Sequence, residues 1–298
     1  MEITFLGTSS MVPTKERSHS AIFVSYKNQG ILVDCGEGTQ RQMKTTGIKL
    51  VKITKILISH WHGDHILGLP GLLQTLSSGS NTYSGTLEIY GPQGIKKQFE
   101  MLKQALSFEP GFEVRVIEAK QGVIFRDNDF RIEAAELEHS ITSYGYSIVE
   151  NDMRHIRTDV IKKLGIPEGP MLGKLQEGKS IKWKNETLTP EQATKLTKGK
   201  KLTIIADTVL CRNCIDLAED ADILICEATY ANDLQEKAEL YKHLTAGQAG
   251  LIANKANAKK LILTHFSQRY KNTQQIEEDA RTVFDNVIAA KDFMRVTL

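Results

Sequence analysis

The sequence lacks the features that mark several large classes of protein. No apolar run approaches the roughly 18–20 residues that a membrane-spanning helix needs. The chain of 298 residues has only 4 cysteines, too few for a disulfide scaffold, and they fit a reducing cytosol. The first residues enter strand-like sequence without a basic leader segment, so we expect no signal peptide and a cytoplasmic protein.

The charge of the whole chain is nearly balanced, but one segment has an excess of positive charge. Lysine and arginine number 38 against 36 acidic residues, and the net charge of +2 argues against a general nucleic-acid coat protein. Residues 154–201, however, hold 12 basic and only 5 acidic residues. Such a segment is either a solvated face or a surface that binds a polyanion.

Short β-rich runs alternate with glycine turns and helical stretches along most of the chain. Strands are predicted at 3–6, 21–25, 31–34, 56–59, 87–90, 114–118, 130–138, 145–149, 202–206, 223–226 and 261–264. Helices are predicted at 66–76, 95–106, 213–220, 233–241, 246–255 and 274–290. Buried strands that alternate with helices predict a layered α/β domain whose sheets are covered by helices.

One stretch departs from this pattern. Residues 156–201 are rich in lysine and interrupted by glycine and proline, and their apolar content is too sparse for a core of their own. We therefore expect a single domain over residues 1–298 with residues 156–201 inserted as a flexible arm, not as a second domain.

Metal-ligand side chains are concentrated after the predicted strand at 56–59. His60, His62, Asp64 and His65 follow it in the order H-x-H-x-D-H. Imidazole nitrogens and carboxylate oxygens suit zinc, and oxygen ligands also admit manganese. The first two histidines project the same way from an extended turn and can chelate one ion, whereas the aspartate and the last histidine can serve a second.

Further ligand-type residues follow other predicted strands. His139 comes after residues 130–138, Asp207 after 202–206 and His265 after 261–264. The ends of strands in open α/β sheets are where binding sites gather. These three residues therefore extend the candidate metal site.

This set of residues resembles that of the metallo-β-lactamase superfamily, and the resemblance spans nearly the whole chain. It implies a four-layer αββα sandwich with two zinc ions at its edge, or manganese in their place. It assigns His60, His62 and His139 to one ion, Asp64, His65 and His265 to the other, and Asp207 to both. Asp34 matches the family aspartate that accepts the distal N–H of a ligand imidazole and fixes its orientation.

Narrower motifs are similar to those of the ribonuclease Z family, the tRNA 3′-processing endoribonucleases. They are residues 5–9, the loop 13–18, 206–208, 227–229, 243–245 and 265–270. The resemblance implies that the loop bearing Lys15 and Arg17 lies near the tRNA acceptor end and helps discriminate a 3′ CCA sequence. Ser18 stands where the family usually has asparagine, and whether CCA-bearing precursors are cut stays open.

The basic segment gains a role from the same resemblance. With Gly169 and Pro170 it resembles the flexible arm by which short-form ribonuclease Z enzymes clamp the tRNA elbow. Lysine and arginine give sequence-independent, salt-sensitive affinity for phosphates, and folded RNA is read mainly by shape. The family usually forms homodimers in which the arm of one subunit serves the site of the other, and we expect a homodimer here.

The expected activity is a zinc-dependent cut that leaves a 3′-hydroxyl on the tRNA and a 5′-phosphate on the trailer. Asp64 is the candidate to orient the attacking water and take its proton. His243 is the candidate acid toward the leaving 3′-oxygen, with Glu227 to orient it, although these two can also be only a structural pair. Ser267, Arg269 and Tyr270 are candidates for phosphate contacts.

Two other functions remain open at this stage. One is hydrolysis of another phosphodiester or a thioester, since this fold and metal site serve several substrates. The other is a non-catalytic RNA-binding module on a degenerate hydrolase fold. Cys211 and Cys214 have the spacing of a redox or metal pair, but no second pair completes a structural zinc site, so they receive no role.

Overall fold

The computed structural model describes residues 1–78, 83, 85–184 and 186–298. The strands are β1 Glu2–Gly7, β2 Ala21–Tyr26, β3 Gln29–Val33, β4 Ile53–Leu57, β5 Leu87–Gly91, β6 Val114–Glu118, β7 Gly122–Arg126, β8 Phe130–Leu137, β9 Ser143–Glu150, β10 Met153–Ile156, β11 Ile181–Trp183, β12 Glu186–Leu188, β13 Thr194–Thr197, β14 Lys201–Ile205, β15 Ile223–Glu227, β16 Leu261–Thr264, β17 Val287–Ala289 and β18 Arg295–Thr297. The helices are α1 Thr39–Thr45, α2 Gly63–Ile66, α3 Leu69–Ser78, α4 Ile95–Ala105, α5 Thr158–Leu164, α6 Pro170–Gln176, α7 Pro190–Ala193, α8 Arg212–Ala218, α9 Gln235–Tyr241, α10 Ala246–Lys255 and α11 Gln274–Arg281, with 3₁₀ turns at Leu50–Lys52 and Asn232–Leu234. Within this described part of the chain, no helix combines the length and apolarity that crossing a membrane requires.

The chain divides into two compact units. The first comprises Met1–Phe125, Ile132–Ile148 and Lys201–Leu298, and the second comprises Arg126–Arg131 and Val149–Lys200.

Two seven-stranded sheets run through the fold. Their strand orders are β18-β1-β2-β3-β4-β5-β6 and β17-β16-β15-β14-β9-β8-β7. The run from β3 to β6 is parallel, and so is the run from β14 to β17. Parallel strands place their carboxyl ends at one edge of the sheet, which is where the candidate site lies.

Helices cover one face of each sheet. On the first sheet, Met43 of α1, Leu72 of α3 and Phe99 of α4 pack in one apolar cluster with Ile56 and Ile89 of the strands. On the second sheet, the corresponding cluster joins Cys214 of α8, Ile252 of α10 and Ile276 of α11 to Leu224 and Leu263. Neighbouring strand residues, whose side chains point to the opposite face, are also buried. The predicted αββα sandwich is confirmed.

Two predicted helix boundaries are wrong. The helix predicted at 66–76 is divided into α2 and α3, because the main-chain N–H of Gly68 donates to the carbonyl oxygen of Cys35 at 2.9 Å and not to the preceding helical turn. The helix predicted at 274–290 ends at Arg281, and the apolar run Val287–Ala289 instead forms β17 alongside β16. Burial at a sheet edge outweighs the helical pattern of that segment.

The second unit has an apolar core, so the prediction that this segment lacks one is wrong. Ile161, Ile166, Leu175, Ile181 and Ala193 are buried together. Partly buried Trp183 packs against them and donates its Nε1 hydrogen to the carbonyl oxygen of Leu164 at 2.9 Å. The prediction failed because these apolar residues are spread singly among lysines and come together only when three short helices and two small sheets fold.

Candidate metal centre

Strand ends of both sheets supply the predicted ligands of the first unit. His60 follows β4, His139 follows β8, Asp207 follows β14 and His265 follows β16, while Asp64 and His65 open the short helix α2. The last residue of each of these strands is buried, and the ligand-type side chain follows it within three positions at the sheet edge. The seven ligand-type residues meet there although they are spread from residue 60 to residue 265.

The first cluster contains His60, His62, His139 and Asp207. The Nε2 atom of His60 lies 2.9 Å from Nδ1 of His62, and Nε2 of His139 lies 3.3 Å from that same Nδ1. The Asp207 Oδ2 atom is 3.6 Å from Nε2 of His60 and 4.0 Å from Nε2 of His139. Four donor atoms therefore point at one small volume.

The second cluster contains Asp64, His65, His265 and again Asp207. The Nε2 atoms of His65 and His265 are 3.3 Å apart. The Asp64 Oδ2 atom lies 3.4 Å from each of these nitrogens. Asp207 presents Oδ2 to His65 at 3.5 Å and Oδ1 to His265 at 3.3 Å, so one carboxylate serves both clusters.

Most of these separations are those of metal coordination, and the extremes are 2.9 Å between His60 and His62 and 4.0 Å between His139 and Asp207. Bonds of about 2.0–2.2 Å to a tetrahedral ion place neighbouring donor atoms roughly 3.3–3.6 Å apart. The Oδ1 atoms of Asp64 and Asp207 are buried without a hydrogen bond from any described residue, an arrangement that costs free energy unless a cation is bound. The donor set of nitrogens and carboxylate oxygens is therefore one that could hold metal ions.

The distal ring nitrogens of the ligand histidines are held by protein groups. His65 donates its Nδ1 hydrogen to Asp34 Oδ2 at 2.7 Å. The Ser59 hydroxyl donates to the same Oδ2 at 2.9 Å and lies 3.0 Å from Nδ1 of His60. Asp34 thus orients one imidazole in each cluster, directly for His65 and through Ser59 for His60. Such contacts fix the ring orientation and raise ligand basicity.

Two other orienting contacts were not predicted. His139 donates its Nδ1 hydrogen to the carbonyl oxygen of Lys242 at 2.8 Å. The Thr229 hydroxyl lies 3.0 Å from Nδ1 of His265 and donates to Oε2 of Glu227 at 2.6 Å. A threonine hydroxyl and a main-chain carbonyl carry no ligand-type signature in a sequence, although Thr229 does lie within one of the motifs noted above.

Three residues of the site have left-handed backbone conformations. Asp34 has φ 57°, Lys242 has φ 60° and His265 has φ 62°. Such conformations are uncommon for residues other than glycine and cost free energy that the surrounding structure must supply. At these positions the backbone is turned so that the Asp34 side chain and the Lys242 carbonyl face ligand-type histidines, while the His265 side chain itself joins the second cluster.

His243 and Glu227 form a pair beside the clusters. The Nδ1 atom of His243 is 3.1 Å from Oε1 of Glu227 and 3.9 Å from Oδ2 of Asp207. Burial alone would lower the pKa of His243, but the carboxylates of Glu227 and Asp207 raise it to about 9. Glu227 is fully buried and also accepts the main-chain N–H of Thr208 at 2.9 Å, so its carboxylate is fixed in place.

Only some of the predicted substrate-binding residues lie at the cavity over the ligand-type residues. Ser267 and Arg269 line the cavity over the metal ligands, and Arg269 donates from Nε to the Ser267 hydroxyl at 3.1 Å. Lys15, Arg17 and Tyr270 are not among the residues that line that cavity. The Tyr270 hydroxyl accepts the main-chain N–H of Ala231 at 2.8 Å.

Arg17 of the predicted loop has a fixed position. It donates from Nη2 to the carbonyl oxygen of Tyr270, and its guanidinium carbon lies 5.7 Å from the ring centroid of Phe266. Burial of this guanidinium lowers its pKa. In the second unit, Gly169 has φ 153° and ψ −167° directly before Pro170, a conformation open essentially to glycine alone.

The fold and the paired ligand clusters define a protein of the metallo-β-lactamase fold. The protein YhfI from Bacillus subtilis, described as having that fold, superposes with a TM-score of 0.71 at 22% identity over 99% of this chain and 98% of that chain. A ribonuclease Z from Methanothermobacter thermautotrophicus is 40% identical over 99% of this chain and 96% of its own length. The chain belongs to the ribonuclease Z family.

Two further comparisons agree with this placement. The human tRNase Z, short form, superposes with a TM-score of 0.72 at 31% identity and covers 100% of this chain and 99% of its own. A family model described as Anti-Pycsar protein Apyc1 matches residues 1–166, and this part of the chain belongs to that family as well. Residues 1–166 include the H-x-H-x-D-H motif and His139 but not Asp207, His243 or His265.

Proposed function

We propose that this chain is an endoribonuclease that removes the 3′ trailer from precursor tRNA and acts as a cytoplasmic enzyme. The observation that carries the proposal is the convergence of seven ligand-type side chains beside the His243–Glu227 pair in a chain of the ribonuclease Z family. The cut would leave a 3′-hydroxyl on the tRNA and a 5′-phosphate on the trailer.

Two zinc ions are the proposed cofactors, with manganese as the alternative. His60, His62 and His139 would hold one ion, Asp64, His65 and His265 the other, and Asp207 would contact both. Three histidines in the first cluster favour zinc over a metal that prefers oxygen ligands. When bound, the ions would lower the pKa of a water molecule and offset charge on the scissile phosphate.

The protein's own side chains would move the protons. Asp64 has one oxygen near His65 and His265 and a second, Oδ1, without a hydrogen bond among the described residues. That free oxygen is the proposed acceptor of the proton from the attacking water. His243 has Nδ1 beside Glu227, which leaves its Nε2 atom to donate a proton to the leaving 3′-oxygen.

The proposed arm of residues 156–201 would bind the tRNA away from the cut. Its lysines can neutralise phosphates of the tRNA backbone whatever the nucleotide sequence. An enzyme that acts on many different tRNAs requires such sequence-independent binding. Gly169 and Pro170 lie at the start of α6 in this segment, where the family resemblance expects tRNA contacts. A homodimer, with the arm of one subunit serving the other, is part of the same proposal.

The deciding experiment incubates the metal-loaded protein with precursor tRNAs with and without CCA and maps both new ends. We expect 3′-hydroxyl tRNA and 5′-phosphate trailer. A cyclic phosphate on the tRNA would show attack by the 2′-hydroxyl and contradict the scheme. Turnover of bis(p-nitrophenyl) phosphate, before and after deletion of the arm, tests the alternative of a hydrolase for another phosphodiester: selective loss on tRNA supports the proposal, and equal loss supports the alternative.

A further inference from the structure

The cavity over the metal ligands has an apolar outer part that the proposed chemistry does not use. The cavity has a volume of about 560 Å³. Its deepest residues, Asp207 and His265, are each only 2% exposed. Met11, Leu240 and Tyr241 line the same cavity but are 64%, 73% and 53% exposed. Single exposed apolar side chains are ordinary, whereas a group of them at the opening of a site marks a binding surface.

Helix α9 explains how part of this group is presented. Lys237, Leu240 and Tyr241 are spaced i, i+3 and i+4, so they share one face of the helix, and all three line the cavity. Ala238, on another face, is buried and anchors the helix. The chain reaches His243 two residues after Tyr241. The helix therefore presents one lysine and two large apolar side chains immediately beside the candidate acid.

The charges around the apolar group are positive. Lys237, Lys242 and Arg269 line the cavity, and the guanidinium carbon of Arg269 lies 5.4 Å from the ring centroid of Tyr230. The carboxylates that line it, Asp64 and Asp207, face the ligand histidines. Proteins bind single-stranded nucleic acid with cations that contact its phosphates and with flat or flexible apolar side chains that contact its bases. This cavity offers both.

We propose that Met11, Leu240 and Tyr241 form a nucleobase platform that binds the unpaired nucleotides on either side of the scissile phosphate. The proposal rests on the proposed function, since the platform is continuous with the site that would cut RNA. Tyr241 stacks on one base and Leu240 and Met11 contact the other, while Lys237 neutralises the adjoining phosphate. Because every base has an aromatic face, the platform holds the strand without selecting its sequence.

The test compares two substrates and three variants. One precursor tRNA is intact, and the other is abasic at the two nucleotides that flank the cut. Loss of one base stack lowers affinity roughly 5- to 150-fold. We expect Tyr241→Ala to lower kcat/KM on the intact substrate by a factor in that range, through KM more than through kcat, and Tyr241→Phe to retain it. Met101→Ser is the matched control, because Met101 is 57% exposed on α4 and does not line the cavity.

The abasic substrate separates stacking from disturbance of His243. If Tyr241 binds a base, the wild type loses activity on the abasic substrate and Tyr241→Ala loses little more. An equal loss for Tyr241→Ala on both substrates would overturn the platform, and so would a change of oligomeric state at unchanged kcat/KM, since a second copy of the chain would then cover this face. Failure of the wild type to cut the intact substrate would instead overturn the proposed function, and the platform with it.

Discussion

The carbonyl oxygen of Lys242 accepts a hydrogen bond from Nδ1 of His139 at 2.8 Å, across 103 positions of sequence. Lys242 follows the last residue of α9 and has φ 60°. Its left-handed conformation turns the main chain so that this carbonyl faces a metal ligand and the next residue, His243, enters the site. One backbone conformation thus positions both a ligand of the first cluster and the candidate acid.

Replacement of Lys242 tests this relationship. The left-handed conformation costs a residue with a Cβ atom roughly 1–2 kcal/mol. We expect Lys242→Gly to raise the free energy of unfolding by up to about 1 kcal/mol, since glycine adopts this conformation freely but loses more entropy on folding. Lys242→Val should lower it, because a β-branched residue is a poor fit there. Urea denaturation measures both, and metal content should be unchanged in the glycine variant.

Asp34→Asn should weaken metal binding without unfolding the protein. Asparagine tolerates a left-handed φ but has one acceptor oxygen, so it cannot accept the main-chain N–H of Ser59 at one position and the Ser59 hydroxyl and His65 at the other, as the carboxylate does. Loss of such an orienting contact typically costs 10- to 100-fold in metal affinity. Competition with a chelator measures the affinity. Asp292→Asn is the matched control, since half-buried Asp292 accepts from Thr8 at 2.8 Å and belongs to neither cluster, and an equal loss there would count against the role of Asp34.

His243→Ala should separate catalysis from metal binding. Removal of a general acid lowers turnover by roughly two to four orders of magnitude. Zinc content, measured by atomic absorption, should persist because the seven ligand-type residues are untouched. Loss of zinc would make His243 a ligand instead, and unchanged turnover would remove it from catalysis. His155→Ala, an exposed histidine of the second unit, should behave as wild type.

Charge removal in the proposed arm should change the salt dependence of tRNA binding. Each phosphate contact contributes about 0.7–0.9 to the slope of log K against log salt. The double variant Lys162→Gln/Lys163→Gln should therefore flatten the slope and leave turnover of a small phosphodiester unchanged. Lys44→Gln/Lys49→Gln removes two exposed lysines of the first unit and is expected to keep the slope. Titrations at several salt concentrations decide between the two outcomes.

The core of the second unit can be tested by its own unfolding. Leu175 is fully buried there, and truncation of such a leucine typically costs about 2–5 kcal/mol. Leu175→Ala should speed proteolysis within Val149–Lys200 while cleavage of the first unit stays at its wild-type rate. Leu196→Ala, at a leucine that is 44% exposed in the same unit, should have little effect. Equal effects of both variants would mean that burial does not stabilise this unit.

The fold and the ligand positions could be predicted because both depend on local pattern. The strands predicted at 130–138, 202–206 and 261–264 end directly before His139, Asp207 and His265, so these three residues are recognisable from their positions alone. The orienting contacts could not be predicted this way. The carbonyl of Lys242 acts through a backbone angle, and Ser59 acts only because its hydroxyl lies between Asp34 and His60.

The helix and core errors have a related cause. The break at Gly68 depends on its hydrogen bond to the carbonyl oxygen of Cys35, a contact between distant parts of the chain that no local pattern contains. The apolar residues of the second unit show no helical or strand period long enough to predict that they pack together. Packing between distant parts of the chain determines both the helix break and the core of the second unit. A single sequence shows such packing only indirectly.

Asp207 and His265 come from the second sheet, whereas His60, His62, Asp64 and His65 come from the end of one strand in the first. During synthesis, a growing polypeptide can complete the first sheet's strands β1 to β6 long before these later residues exist. Fragments that stop short of His265 would carry the recognisable histidine motif without a complete centre. A chain that ends before His265 would also lack β17 and β18, an edge strand of each of the two sheets.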